Sequence, residues 1–287
     1  MVTTLALTPL SVRVFDPNTE KLVKGVESLK EKLGEDPSAT TSSDVGESIA
    51  LQDIINRIYQ GENIDDTIKG ADLVIEAIVE SLTAKLELFS SISRSPVLAP
   101  HTILTSNTYS LSISRIAQSI MPKRELFGLH FFNPAPKMKL VEIVRANEEA
   151  NPENEHANIQ LSSLVEFVKR LGKESIVCKD SPGFVVNKLL IPYLTDAIRL
   201  LEEKVASKED IDKAMKLGAG YPMGPFTLMD LIGLDTIKSV IDGWAALDKT
   251  GQSLRPSPLL QAMVQQGKLG KKCGEGFYSY AKKHRVF

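Results

Sequence analysis

The sequence predicts an α/β chain, with a doubly wound parallel sheet that is incomplete at its N-terminus and an all-α region after it. Three observations carry that reading. In the N-terminal half short apolar runs alternate with helical patterns, as strands joined by crossover helices require. In the C-terminal half the apolar period is helical almost throughout. Between the halves a short strand, SIVCKD, leads to Pro182, and the division is placed there, at 1–180 and 181–287.

Each element has its own local signal. Ser11-Val12-Arg13-Val14-Phe15 is β-rich and ends at Asp16, and a helix follows from about Thr19 to Leu33. The polar stretch GEDPSATTSSDVGES carries no periodicity and reads as a loop. Ala71 to Ala77 reads as a buried strand, Ala84 to Ser93 as a helix, and Thr102 to Thr105 as a further strand. Asn154 to Leu171 is helical, with Ile159, Leu161, Leu164, Val165 and Val168 at core spacing. A long helix is expected from about Gly183 to Lys204. Ser207 with Asp210 forms an S-x-x-D helix start, followed by Ile211, Met215 and Leu217 at roughly helical spacing. Leu234 to Leu247 and Pro258 to Val264 add two helices.

Composition narrows the function classes. At 287 residues, 43% hydrophobic and 24% charged, the chain is an ordinary globular protein of one large or two ordinary domains. A net charge of −2 gives no electrostatic case for nucleic acid or an anionic membrane. Cys178 and Cys273 lie far apart in no metal-ligand spacing, which fits a reducing compartment, and no metal site is expected. MVTTLALTPL lacks the basic start and cleavage site of a secretory leader, and no stretch approaches the ~20 apolar residues of a membrane span. The final His-Arg-Val-Phe is not a peroxisomal tripeptide.

The most informative stretch runs from Ser106 to Val144. Within it His130 sits in GLHFFNP, and Glu142 follows twelve residues later in KLVEIV, with Pro134 and Pro136 between them. The prolines interrupt any continuous strand or helix, so the segment can fold back and bring the two side chains together. A histidine whose second ring nitrogen is held by a carboxylate is a general base of fixed tautomer, suited to taking a proton from an alcohol. Packing between the neighbouring phenylalanines is the alternative reading of this histidine. The strings SNTYSL, GLHFFNP and KLVE, in this order and spacing, resemble the 3-hydroxyacyl-CoA dehydrogenase family. The resemblance continues through SPGFVVNKLL, GAGYPMGPF and GKKCGEGFYSY, and so covers essentially the whole chain.

That resemblance implies a Rossmann-like fold and NAD-dependent oxidation of a 3-hydroxyacyl-CoA to the 3-oxo thioester, of the kind found in fatty-acid β-oxidation. It implies His130 as general base, Glu142 as its partner and Asn187 facing the substrate oxygen. Tyr109 stands where the family carries a serine, with Ser110 next. Its phenol either takes over the substrate contact or marks a remodelled site. Ser28 and Lys32 fall where the family helix meets the CoA phosphates, although a charged helical face is the default explanation for them. Asp16, at a strand end, is placed on the cofactor ribose; a plain turn role in Phe-Asp-Pro-Asn is its alternative. Glu80, Lys85, Asn107, Asn133 and Lys272 are carried over to the NAD side, and Ser106 lines it with Asn107. The α region is expected to form a homodimer, with a mitochondrial or cytoplasmic setting.

One feature of a dinucleotide site is missing from this reading. No glycine precedes Gly25, so no G-x-G-x-x-G turn comes before Asp16. Against the family the chain begins about one strand and one turn late, which is read as an N-terminal truncation. The expected consequences are exposed strand edges, weakened dinucleotide binding and a less stable N-terminal half. Three readings follow: an active enzyme, a non-catalytic acyl-CoA-binding or dimerisation partner without its NAD phosphate site, or a dehydrogenase acting on another 3-hydroxy acid.

Overall fold

The structure, a computed structural model, describes residues 10–35, 56–146, 154–247 and 257–280. It divides into two compact units, Met1–Phe184 and Val185–Phe287. The boundary falls a few residues after the expected one because Phe184 is buried in the core of the first unit. The polar loop of the sequence reading lies almost wholly outside the described residues.

The first unit contains two sheets. β1 (Val12–Val14) pairs in parallel with β2 (Ile58–Gln60). The larger sheet holds β3 (Leu73–Glu76), β4 (Ile103–Ser106), β5 (Leu126–Phe131), β6 (Leu140–Arg145) and β7 (Glu174–Lys179), side by side in that order. β3, β4 and β5 are parallel, whereas β6 runs antiparallel to β5. The sheet is therefore mixed where the sequence pattern anticipates parallel strands throughout. The 132–139 loop is too short for a parallel crossover, which needs a dozen or more residues, so the chain has to reverse.

Among the described residues five helices accompany the sheets: α1 (Thr19–Glu35), α2 (Ile64–Ile68), α3 (Leu82–Arg94), α4 (Ile113–Ala117) and α5 (Glu155–Arg170). The last four start on side chains that accept an orphan N–H, namely Asn63, Ser81, Ser112 and Asn154. Alternation along β5 and β6 separates two apolar cores. Leu126 and Val144 face α3 and α4, while Phe127, Leu129, Val141 and Ile143 face α5. The α5 face differs from expectation. Ala157, Gln160, Leu164 and Val168 are buried, but Ile159 is 64% exposed and Val165 is also exposed. Apolar residues at 159 and 165 satisfied a helical period without lying on the face that meets the sheet.

Two strand edges lack a strand partner among the described residues. The carbonyls of Asp72 and Glu76 accept from β4, so the N–H and C=O of Leu73 and Ile75 point to the other edge of β3. In β1, Val12 and Val14 bond toward β2, which leaves the backbone of Arg13 directed outward.

The second unit is helical, with α6 (Val186–Glu202), α7 (Lys208–Gly218), α8 (Pro225–Ile232), α9 (Leu234–Leu247) and α10 (Pro258–Gln265). α6 begins later than the sequence pattern suggests because Gly183 and Phe184 both take left-handed backbone, at φ 77° and 54°. Ser207 caps α7 as expected and Ile211 is buried, but Leu217 is 76% exposed. Two buried aspartates organise this unit. Asp212 accepts from the N–H of Phe226 and Thr227, the Thr227 hydroxyl and the Tyr278 hydroxyl. Asp230 accepts from the N–H of Phe277 and Tyr278 and from the Tyr280 hydroxyl. Gly224 of GAGYPMGPF and Gly276 of GKKCGEGFYSY follow from them. A Cβ on Gly224 would lie 2.3 Å from the Asp212 backbone, and one on Gly276 would lie 2.0 Å from Asp230 Oδ1.

Candidate active site

The carboxyl ends of β3, β4 and β5 lie together, as parallel register demands, because Glu76 pairs with Ser106 and Ser106 with Gly128. His130 extends beyond the end of β4 on β5. Its register partner on β6 is Glu142, so the two side chains share one face of the sheet. His130 Nδ1 and Glu142 Oε2 are 2.7 Å apart, with His130 5% exposed and Glu142 fully buried. A buried carboxylate accepts only, so Nδ1 carries the proton and Nε2 keeps its lone pair. Nε2 has no hydrogen-bond partner among the described residues. The pairing anticipated from the prolines is thus direct cross-strand register.

Two glycine-and-lysine details build this pair. Gly128, two residues before His130 on the same face, must be small because a Cβ there would come 2.7 Å from Val144 and 3.1 Å from Ile113. The 132–139 loop that joins the two strands is held from beneath by Lys173. Its buried Nζ donates to the carbonyls of Ala135 at 2.6 Å and Met138 at 2.5 Å. Burial pushes this ammonium below the usual lysine range. The sequence reading missed Lys173, which carries no motif of its own.

A second network frames the site at the ends of β3 and β4. Glu76 accepts from Lys85 Nζ at 2.7 Å, from the Ile78 N–H at 2.6 Å and from the Ser106 hydroxyl at 2.5 Å. Lys85 is 1% exposed and also lies 3.4 Å from Glu80. One oxygen of Glu80 accepts from the Thr108 hydroxyl, the Tyr109 N–H and both the N–H and hydroxyl of Ser110. Glu80 and Lys85, assigned to the cofactor side, are therefore engaged in shaping the 106–111 turn. Ser110 spends its hydroxyl there too. Glu76 and Thr108 were not singled out from sequence, since an acid in a buried strand reads as part of the strand.

The remaining site residues sort by element. Asn107 Oδ1 accepts from the Phe131 N–H at 2.9 Å and ties β4 to β5 beside His130. Asn133 is exposed in the loop after β5, before Pro134, and Tyr109 is half-buried. Asp16 follows β1 and accepts the Asn18 N–H, and Asn18 Oδ1 in turn accepts the Lys21 N–H at the start of α1. Ser28 is a half-buried residue of α1; Lys32 belongs to the same helix, with its side chain outside the described residues. Asn187 and Lys272 belong to the second unit. Asn187 is half-buried in the first turn of α6, and Lys272 pairs with Asp235 at 2.5 Å.

Ligands of open α/β sheets bind at the carboxyl ends of the strands. Here that edge presents exposed apolar side chains, Ile78 and Val79, beside the Asn107 side-chain amide and the polar 106–110 turn. An apolar rim with a few fixed amides fits the nicotinamide half of NAD. Among the described residues of the first unit no helix opens on a glycine-rich turn of the kind that cradles a pyrophosphate. A groove of about 790 Å³, lined by Leu10, Ile159 and Phe167, lies on α5, which packs on the opposite sheet face from His130.

A doubly wound sheet with a carboxylate-held imidazole at its carboxyl edge defines the class of nucleotide-dependent dehydrogenases. The comparisons specify it. The family descriptions "3-hydroxyacyl-CoA dehydrogenase, NAD binding domain" and "3-hydroxyacyl-CoA dehydrogenase, C-terminal domain" match residues 1–181 and 183–280. The chain belongs to the 3-hydroxyacyl-CoA dehydrogenase family, a family of NAD-dependent oxidoreductases. It is 46% identical over 260 residues to the mitochondrial hydroxyacyl-coenzyme A dehydrogenase of Homo sapiens, covering 91% of this chain and 79% of that one. It is 40% identical over 273 residues to the probable 3-hydroxybutyryl-CoA dehydrogenase of Bacillus subtilis, covering 95% and 90%. Among solved structures, M. tuberculosis FadB2 superposes with a TM-score of 0.84 at 37% identity, over 98% of this chain and 94% of that one.

Proposed function

We propose that this chain oxidises the 3-hydroxyl of a 3-hydroxyacyl-CoA to the 3-oxo thioester, as in fatty-acid β-oxidation, with His130 as general base. The observation that carries the proposal is the 2.7 Å His130–Glu142 contact, with Nε2 left unpartnered at the carboxyl edge of the sheet. Bound NAD supplies the hydride acceptor. His130 Nε2 takes the hydroxyl proton, and Glu142 fixes the tautomer and stabilises the imidazolium that forms. Burial of the carboxylate excludes water that would weaken this interaction. Asn187 is proposed to orient the substrate oxygen, and Asn107, Asn133, Asp16 and Lys272 to hold the cofactor. Glu80 and Lys85 are proposed for the cofactor side as well, where Glu80 also shapes the 106–111 turn. Tyr109 and Ser110 border the acyl group, and Ser28 and Lys32 the CoA phosphates.

A homodimer through the second unit is part of the proposal. It is supported by the exposed Leu189, Leu217 and Leu231. Light scattering that returns a monomer mass would remove it. The setting proposed is mitochondrial or cytoplasmic, and no helix among the described residues is long and apolar enough to cross a membrane.

The test is NADH-dependent reduction of acetoacetyl-CoA by this chain and by His130→Gln. Turnover is expected to fall ~10²–10⁴-fold in the variant, the usual share of general acid–base catalysis. A loss below about tenfold would reject His130 as the base. A folded chain that binds acetoacetyl-CoA without turnover would support the acyl-CoA-binding reading instead. That reading is favoured by Tyr109, which stands where the family carries a serine.

A further inference from the structure

The turn Ser181–Phe184 places a bulky residue in a backbone region that side chains rarely adopt. Phe184 has φ 54°, directly after Gly183 at φ 77°. Glycine tolerates left-handed backbone at no steric cost, whereas an aromatic residue there is held against strain by its surroundings. Helix capping does not explain it, because Val185, the N-cap of α6, makes no side-chain cap bond. The surroundings that hold it are on both sides of the turn. Upstream, the Asp180 carboxylate accepts from the Ser112 hydroxyl and from the N–H groups of Ile113 and Ser114, which pins the exit of β7 to the start of α4. Within the turn the Phe184 N–H donates to the Ser181 carbonyl at 2.9 Å. The result is a ring buried in the core beside Ile113, Ile116 and Val144, on the sheet face that carries His130.

That ring meets the imidazole. Its centroid lies 5.9 Å from that of His130, tilted by 57°, and Phe132 makes a second contact at 4.3 Å and 46°. The Glu142 hydrogen bond holds the Nδ1 edge of His130 and does not touch the faces of the ring. Two tilted aromatic contacts restrict the rocking of the ring and keep water from the imidazole. We infer that Phe184, held in its strained turn by Asp180, is a positioning residue that sets the direction of His130 Nε2. Phe132 shares the task.

This inference rests on His130 being the base, so its test includes a readout independent of turnover. Acylation of the His130 imidazole by diethyl pyrocarbonate, followed by mass mapping of its peptide, reports how freely the ring presents itself. Phe184→Leu keeps apolar volume but loses the flat ring. The variant is expected to acylate several-fold faster at His130. Its kcat with acetoacetyl-CoA should fall about tenfold while KM stays within about twofold, because displacing a reacting group costs rate rather than binding. Phe184→Tyr, which restores a ring, should recover both. If Phe184→Leu does not fold, Phe132→Leu, at a half-buried position, carries the same two measurements. Unchanged acylation in a folded Leu variant would overturn the inference. If His130→Gln retains turnover while Phe184→Leu still acylates faster, the base assignment has failed and the positioning contact stands.

Discussion

β5–β6 and β1–β2 are both two-strand ladders of one unit, yet their surroundings are opposite. All of β5 is buried, as is β6 beyond Leu140, whereas in β1 and β2 only Val12 is buried. β5 and β6 have strand neighbours on both sides and apolar cores on both faces. β1 and β2 have one neighbour each among the described residues. The proposed proton-transfer pair thus sits in the more buried of the two ladders, and Asp16, on the proposed cofactor side, follows the less buried one.

Substitutions can break or sharpen that contrast. Glu142→Gln should lower kcat by ~10²-fold or more by removing the charge that holds His130, with unfolding little changed; steady-state kinetics beside a thermal melt checks it. Lys85→Met leaves Glu76 as an uncompensated buried charge and should cost about 3–5 kcal/mol of stability, read from urea unfolding. A cost under ~1 kcal/mol would show that water reaches this pair. Lys173→Met strands the carbonyls of Ala135 and Met138 and should cost about 1–3 kcal/mol. Hydrogen exchange should then rise in residues 132–139 before it rises in β5.

Two smaller effects complete the comparison. Burial, with the Glu142 and Asp180 carboxylates adding to it, pushes the Cys178 thiol up to about 11. A thiol raised in the folded state favours folding below its unfolded pKa, and that contribution is lost as pH rises through the folded value. Cys178→Ala should therefore flatten the fall in melting temperature between about pH 9 and 11. Cys273 is exposed, and its thiol is lowered by hydrogen bonds from backbone N–H groups. It should be alkylated at pH 8 well before Cys178; equal rates would mean that β7 opens readily. On β2, Tyr59 is 52% exposed, so Tyr59→Thr should change stability by no more than about 0.5 kcal/mol. A larger loss would mean that this ladder carries more of the unit than its burial implies.

Much of the architecture was legible because its signals are local. The strand that ends at Asp16, the helix from Asn154, the S-x-x-D start at Ser207 and the breaks at Pro134 and Pro182 all act within a few residues of chain. β2, α2 and α4 passed unnoticed, as elements of three to five residues hold too little pattern to register a period. Ile159 and Leu217 misled for the converse reason, since a periodic apolar residue says nothing of which side the partner lies on.

By itself the sequence determined the class of fold, the meeting of His130 with Glu142 and the family to which both belong. It did so because short-range rules place the strands and the prolines reverse the chain. Only the tertiary structure decided that the pair is in direct register on antiparallel strands. It alone decided that Lys85 and Glu80 are drawn into the 106–111 turn, that Lys173 braces the connecting loop and that Phe184 is forced against the imidazole. Each of those depends on groups that are remote along the chain and brought together by packing, and no local pattern records such a contact.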